Sequence, residues 1–311
     1  MNFPFQLPPG RAFDVAGFGT NAVDFLIRVP EYPQFDSKIE LIDYSQLPGG
    51  EIATAMVALQ RLGLKTCYAG RFGDDLAGGF GIDSLVAESV DTTFAQVIPG
   101  ALTQIAFIVI DENSGERTVI WKRDAKLAYS ADEAPLSIVE KARVLHITPH
   151  DAQACIALAQ RAKDVGTVVS IDLDNKFPDL EDLLPLVDVL ITSAEWPSRM
   201  FGIDDKREAL KALRNKYGAA VVGITLGENG SLLLREDTFI ETPGFPVPGG
   251  CKDTTGAGDS FRAGLLYGLA TGASIEESGR MANAVAALKC RAIGARTSLP
   301  TPEELTSLLN G

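Results

Sequence analysis

Lys252-Asp253-Thr254-Thr255-Gly256-Ala257-Gly258-Asp259-Ser260-Phe261 sets two glycines around an alanine, follows them with an acid, and runs on into the apolar Phe261-Arg262-Ala263-Gly264-Leu265-Leu266-Tyr267. Upstream, the prolines and glycines of Phe245-Pro246-Val247-Pro248-Gly249-Gly250 oppose a helix and predict extended chain ending in a turn. The whole reads as a loop opening into a helix, with Thr254 or Thr255 near the N-cap. Free amides of Gly256, Ala257 and Gly258 then converge where the helix dipole favours negative charge, and the absent side chains let an anion come close. Asp259 in the same turn would repel that anion. The repulsion makes sense if Asp259 takes a proton from a hydroxyl that attacks the anion, as phosphoryl transfer requires. A capped helix start whose acid complements the dipole, worth about 0.3–1 kcal/mol, fits the same spacing.

Composition bounds the rest. The 311 residues are 46% hydrophobic, enough to bury one large α/β domain or two smaller ones. A net charge of −13 argues against a nucleic-acid role built on phosphate neutralisation. Nucleotide phosphates remain accessible to such a chain, because local amides and magnesium offset their charge. The start, Met1 to Gly10, lacks a basic segment followed by a long apolar one, so no signal peptide is expected. No apolar stretch reaches the length of a membrane span. Cys67, Cys155, Cys251 and Cys290 are scattered without metal-ligand spacing and read as reduced, mostly buried thiols of a cytoplasmic protein. His146 and His150 flank Pro149 and read as strand-end or loop residues.

The Asp253–Phe261 run resembles the C-terminal signature of the ribokinase-like (PfkB) family of sugar and nucleoside kinases. The resemblance implies that Asp259 is the catalytic base and that Gly256, Ala257 and Gly258 form the anion hole. A second match is independent of it. Pro48-Gly49-Gly50 turns into Glu51–Gly63, which has helical apolar spacing and a glycine stop. With Tyr68-Ala-Gly-Arg-Phe-Gly-Asp-Asp75 it resembles the family's N-terminal signature. By that resemblance Gly49 and Gly50 bring backbone close to a sugar. Thr54 stands where the family usually has an asparagine that contacts a hydroxyl, and Ala53-Thr54-Ala55 is similar to some sulfosugar kinases. A threonine bonding back to its own helical turn is the plain alternative. The resemblance runs from Phe13 to Pro302. It implies a ribokinase-like three-layer α/β/α sandwich with a mainly parallel sheet, forming one domain over 1–311. A small β lid over about 32–48 and 101–126 would cover the sugar, and such lids often pair into dimers.

Read along the chain, Gly17-x-Gly19-x-x-Ala22 is a weak dinucleotide fingerprint. A true one opens a helix at once, whereas Phe25–Pro33 alternates and carries two prolines, which predicts extended structure. The resemblance makes Asp24, at the end of this first strand, the acid that bonds sugar hydroxyls. Lys38–Tyr44 alternates as a half-exposed strand would. Likeness to ketohexokinases makes Asp36 a lid residue reaching the sugar; a solvated strand-edge acid is the other reading. Phe80–Ser89 reads as a helix, and Leu102–Asp111 with Arg117–Arg123 as a hairpin around Glu112-Asn-Ser-Gly115. Lys122 and Arg123 either read an anionic substituent or form a charged strand face.

From Val144 strands and helices alternate: Val144–Ile147, Ala152–Asp164, Thr167–Leu173, Val187–Thr192. This predicts a parallel sheet covered on both faces, with ligands beyond the carboxyl ends of its strands. Asp172, Asp174 and Asn175 lie at such an end and can order magnesium through water, or simply terminate a buried strand. Ser193-Ala-Glu195 departs from the family's Asn-x-x-Glu, leaving Glu195 as the nearest acid for magnesium. Within Ala219–Leu234 the resemblance assigns Thr225, Gly227 and Gly230 to the nucleotide, although a tight hairpin explains the glycines equally. It also assigns Asn283, on the alanine-rich helix Ser278–Cys290, to the adenine side, and a potassium-type site to Asp253, Thr255, Gly294 and Ser298. A proline-initiated helix follows Leu299.

The sequence thus predicts an ATP- and magnesium-dependent kinase acting on a hydroxymethyl group of a small sugar. A ketohexose or furanose comes first, then ribose, a nucleoside or an anionic sulfosugar. A non-catalytic sensor on the same scaffold competes with this reading. A dehydrogenase would need a helix directly after Gly19.

Overall fold

Mostly apolar strand interiors, with Asp14, Arg71, Arg143, Asp172 and Glu241 as charged exceptions, fold as a buried sheet here because each face meets helices. In the computed structural model, which describes residues 1–114 and 117–311, nine strands form one sheet and four form another. In chain order they are β1 Phe13–Phe18, β2 Ala22–Val29, β3 Asp43–Gly49, β4 Thr66–Gly73, β5 Asp91–Ile98, β6 Ile105–Asp111, β7 Arg117–Lys122, β8 Ala142–Ile147, β9 Val168–Leu173, β10 Val189–Ser193, β11 Val221–Thr225, β12 Ser231–Arg235 and β13 Thr238–Thr242. The helices are α1 Glu51–Arg61, α2 Leu76–Ala87, α3 Ser137–Lys141, α4 Ala152–Val165, α5 Leu180–Leu183, α6 Trp196–Phe201, α7 Lys206–Tyr217, α8 Ala257–Thr271, α9 Ile275–Lys289 and α10 Pro302–Asn310.

The large sheet runs β13-β12-β11-β10-β9-β8-β1-β4-β5, parallel from β11 to β5 and antiparallel at β12 and β13. Successive side chains alternate between its faces. Val144, Val168, Val189 and Val221 therefore join the core under α1, α8 and α9, while Leu145, Val169, Leu190 and Val222 join the core under α4 and α7. The result is the expected three-layer α/β/α arrangement. Strand order reverses between β1 and β8, since the chain builds outward to β4 and β5 first and to β9, β10 and β11 later. A crevice outside the carboxyl ends of these two strands is where an open α/β sheet binds ligand.

The small sheet, β3-β2-β6-β7, is the lid. Its composition corrects the expected one: Ala22–Val29 is a central lid strand, so Asp24 lies inside the second strand and not at the end of the first. Lys38–Ile42 is loop, and the strand begins only at Asp43. The hairpin of β6 and β7 is present, while its expected turn residue Gly115 and the neighbouring Glu116 lie outside the described residues. The second helix starts at Leu76, four residues before the expected Phe80, because the Asp75 side chain accepts the Gly78 amide and caps it.

No helix opens after Gly19. Gly17 serves packing instead, since a Cβ there would lie 2.5 Å from Ile52 on α1. The dinucleotide fingerprint is thereby accounted for without a dinucleotide. Among the described residues no helix is long and apolar enough to cross a membrane.

Candidate active site

The chain enters α8 through Gly256, whose left-handed backbone (φ 77°) is the N-cap, with no side-chain capping bond. This corrects the expected threonine cap. Thr255 instead gives its amide to the Asp253 carboxylate at 2.8 Å. A Cβ on Gly256 would come within 2.9 Å of Ala295, so glycine answers both a conformational and a steric demand there. Ala257 donates to the Thr254 carbonyl at 3.1 Å and is not free as expected. No hydrogen-bond partner for the Gly256 or Gly258 amide is found among the described residues, and both stand at the positive end of a fifteen-residue helix.

Asp259 occupies the first turn of α8. It is half-buried, yet protein surrounds its carboxyl deeply enough that desolvation pushes its pKa up to about 8. The negative charge of Glu51 adds to the rise, and Arg262 opposes it. One turn on, the Arg262 guanidinium is wholly buried and bonds the Asp172 carboxylate at 2.7 Å and Asp174 at 2.8 Å. Burial pushes the Asp172 carboxyl well up, again against Arg262. Asp172 is thus locked inside, whereas Asp174 keeps a side chain 42% exposed. Among the described residues no three His, Cys, Asp or Glu side chains gather as a metal cage. Glu195 is exposed at the start of α6.

A groove of about 820 Å³ opens beside α8. Its lining unites Thr225, Gly227, Gly230 and Asn283 with Ala257 and Gly258, residues the sequence predicted for nucleotide and phosphate. Asn283 is more committed than expected: its amide nitrogen bonds Thr242 Oγ1 and the Thr242 carbonyl, each at 3.0 Å, tying α9 to β13. A smaller cavity, about 440 Å³ under the N-terminal segment, shares no lining residue with the groove.

The crevice at the strand-order reversal gathers the second group. Gly49 lies so close to Asp24 that a Cβ would meet its Oδ2 at 2.1 Å, and Gly50 (φ 87°) abuts the Asn21 backbone at 2.4 Å by the same measure. Asp24 is buried, and desolvation pushes its carboxyl up to about 6. Arg296 opposes that rise. This buried guanidinium donates to the Gly49 carbonyl, to Thr54 Oγ1 at 3.3 Å and to Ser84 Oγ at 3.1 Å. Burial in turn pulls Arg296 down to about 10. The Thr54 hydroxyl is therefore held by an arginine rather than turned back on its own helix. Glu51 accepts from Thr20 Oγ1 at 3.0 Å and lies 3.7 Å from His150, whose ring packs between Trp121 of the lid and Phe177.

Asp36 is not drawn in; it is exposed on the 30–42 loop with φ 57°. Arg123 is clamped on Asp151 at 2.7 Å and is committed away from any substituent. His146 is wholly buried beside Ser170, an ordinary strand residue as expected. Arg117, opening β7, donates to the Thr254 hydroxyl, so the lid touches the loop before α8. Asp253 contacts the buried Lys289 ammonium and binds the Thr255 and Gly294 amides, while Ser298 bonds the Lys289 backbone carbonyl.

Arg296, Arg262, Glu51 and Lys289 escaped the sequence reading. Only two carried a signal: Arg262 follows Asp259 at helical spacing, and Glu51 is the first residue after the diglycine.

Comparison with known proteins agrees with this geometry. The description "pfkB family carbohydrate kinase" matches residues 13–302. The chain is 28% identical to the ribokinase of Haemophilus influenzae, over 94% of this chain and 96% of that one. It is 26% identical to a nucleoside kinase of Methanothermobacter thermautotrophicus, over 94% of each. The structure of Arabidopsis thaliana ribokinase complexed with ribose and ATP superposes with a TM-score of 0.85 at 25% identity, covering 96% of this chain and 99% of that one. The chain is a member of the pfkB family of carbohydrate kinases.

Proposed function

We propose that this kinase transfers the γ-phosphoryl group of ATP to a hydroxymethyl group of a small neutral sugar, a ketohexose or furanose. The observation that carries the reading is Asp259, a half-buried carboxylate in the first turn of α8, beside unpartnered amides and within electrostatic reach of Glu51 and Asp24. Its raised pKa suits a group that must accept a proton near neutral pH. The Gly256 and Gly258 amides face the transferring phosphoryl group and absorb its charge, a stabilisation that costs no reorganisation. Asp24 accepts hydroxyl hydrogen bonds, and Gly49 and Gly50 let the sugar approach the backbone. Asp36, exposed on the 30–42 loop, would have to swing in with that loop to reach the sugar. Thr225, Gly227, Gly230 and Asn283 border the adenine nucleotide.

Magnesium would arrive on the nucleotide phosphates and keep part of its water shell. Asp174 and Glu195, beyond β9 and β10, are the exposed acids able to hold those waters; the ion supplies charge neutralisation. The crevice contains Asp24, Glu51 and Asp259 against Arg296, an acidic balance that favours a neutral polyol over a sulfosugar. The names of the relatives keep ribose and nucleosides as the second reading. ADP release with Mg-ATP across ketohexoses, ribose, nucleosides and sulfosugars tests it. Turnover on a neutral sugar supports the proposal, and turnover confined to nucleosides or sulfosugars replaces it. Binding of ATP without turnover on any of them points to a sensor.

We further propose one kinase domain, 1–311, that pairs through its lid in the cytoplasm. The outward lid face carries Tyr44, Phe107 and Ile120, each at least 40% exposed, with Phe107 directly opposite Ile120. Such an apolar sheet face is usually covered. Sedimentation at twice the monomer mass is the expected result, and a monomer removes the pairing.

A further inference from the structure

Family resemblance attaches a potassium-type ion to Asp253, Thr255, Gly294 and Ser298, and the residues present do not fit one. Lys289 ends α9 with a side chain that has no solvent exposure. Its ammonium donates to the Asp253 carbonyl at 2.8 Å and lies 3.8 Å from Asp253 Oδ2. Of the other oxygens there, both Asp253 side-chain oxygens and the Ser298 hydroxyl are engaged, and the Thr255 hydroxyl is buried without a partner among the described residues. Asp253 Oδ1 accepts the Thr255 amide and Oδ2 the Gly294 amide, each at 2.8 Å. The Ser298 hydroxyl donates to the Lys289 carbonyl. Ammonium and potassium ions are alike in charge and close in size, so one such spot holds one or the other.

We infer that Lys289 supplies this positive charge from within the chain, and that the loop leading into α8 is set without potassium. The inference rests on the kinase reading only for its effect on turnover. The physical argument is local. Asp253 opens the turn that passes through Thr254 and Thr255 to the left-handed Gly256. An ammonium beneath its carbonyl fixes the orientation of that first peptide group. With the carboxylate holding the Thr255 and Gly294 amides, the turn keeps one conformation, and the Gly256 and Gly258 amides remain directed outward. A buried lysine is costly unless paired, and here the pair is the Asp253 carboxylate. A free ion stabilises only in proportion to its occupancy, which varies with concentration; a tethered one is always present. Lys289 is in this sense a positioning residue, acting on phosphate binding through the loop.

The test compares wild type with Lys289→Ala and Lys289→Met in potassium, ammonium and tetramethylammonium chlorides at equal ionic strength. Melting temperature is read for each, alongside ADP release on the sugar that the wild type uses. For the wild type, both readouts should be the same in all three salts. Lys289→Ala, which opens room for an ion, should lose several degrees and several-fold turnover in tetramethylammonium, and recover both in potassium or ammonium. Lys289→Met fills the space without charge and should show no cation-specific recovery. A wild type that melts higher or turns over several-fold faster in potassium overturns the inference. So does a folded Lys289→Ala that is indifferent to the cation. If no sugar turns over in any salt, the kinase reading fails by itself, and the melting comparison still decides the role of Lys289.

Discussion

At the start of α8 the site is built from backbone: a left-handed glycine, two unpartnered amides and a helix dipole, with Asp259 as the proposed base. The crevice under the lid is built from side chains that meet across the fold, Asp24, Glu51, Thr54 and Arg296. Backbone anion sites depend on conformation, so they tolerate little variation and serve any phosphate. Side-chain clusters can be re-dealt residue by residue, so under the proposed function the crevice is where selectivity among sugars would reside.

The comparison can be broken most forcefully at Asp259. Asp259→Asn should lower kcat by about 10²–10⁴-fold, the usual worth of a general base. It should also raise the melting temperature at pH 8. The folded-state pKa of about 8 lies above the unfolded value of 3.8, so the native protein holds a proton that the unfolded chain has released. Stability contributed by this group is then complete below the unfolded pKa and lost as pH rises toward 8. Unchanged kcat in the variant would remove Asp259 from the chemistry. A lower melting temperature at pH 8 would mean that its burial costs nothing.

Next in size is Arg296→Met. It leaves Asp24 buried without its counter-charge, a change worth about 3–5 kcal/mol where the remaining ion cannot escape. Asp24 can escape in part by taking up a proton. Denaturant titration should therefore show the double variant with Asp24→Asn regaining stability but not sugar affinity, while ATP affinity stays near wild type in both. Equal losses of sugar and ATP affinity would show that the two regions are not separable.

The smallest expected effect lies at Glu51→Gln. An ionised base is needed, so kcat/KM falls as pH drops through the Asp259 pKa. Removing the Glu51 charge lowers that pKa, and the acid limb should move to lower pH without a change of shape. A limb that stays in place would assign the shift to burial alone, which is already its larger cause.

The same contrast explains what could be read from the sequence. The entry to α8 requires specific backbone conformations, and only glycine meets them, so the requirement is written in adjacent residues. Arg296 has no such local trace, because its partners Gly49, Thr54 and Ser84 are 247, 242 and 212 residues away. Lys38–Ile42 alternates like a strand but has no neighbour to pair with, beyond one bond from the Ile42 amide to the Arg28 carbonyl. The first turn of α2 was hidden by Gly78 and Gly79, poor helix formers. Gly78 is there for contact, since a Cβ would lie 2.0 Å from the Gly73 carbonyl. The middle of the sheet, β8 to β11, was legible because burial on both faces leaves continuous apolar runs, whereas the edge strands β5 and β13 are only partly buried and carried no such run.

The bond from Arg117 to Thr254 joins the small sheet, the proposed cover of the sugar, to the loop before α8, where the phosphate is proposed to bind. Any preference of one ligand for the joined state becomes a shared free energy, and linkage makes it reciprocal. Whatever factor the sugar adds to ATP affinity, ATP must return to the sugar. If the sugar and ATP both favour the joined state, idle hydrolysis would be held down by thermodynamics as well as by geometry, since the nucleotide would bind in full strength only with an acceptor in place.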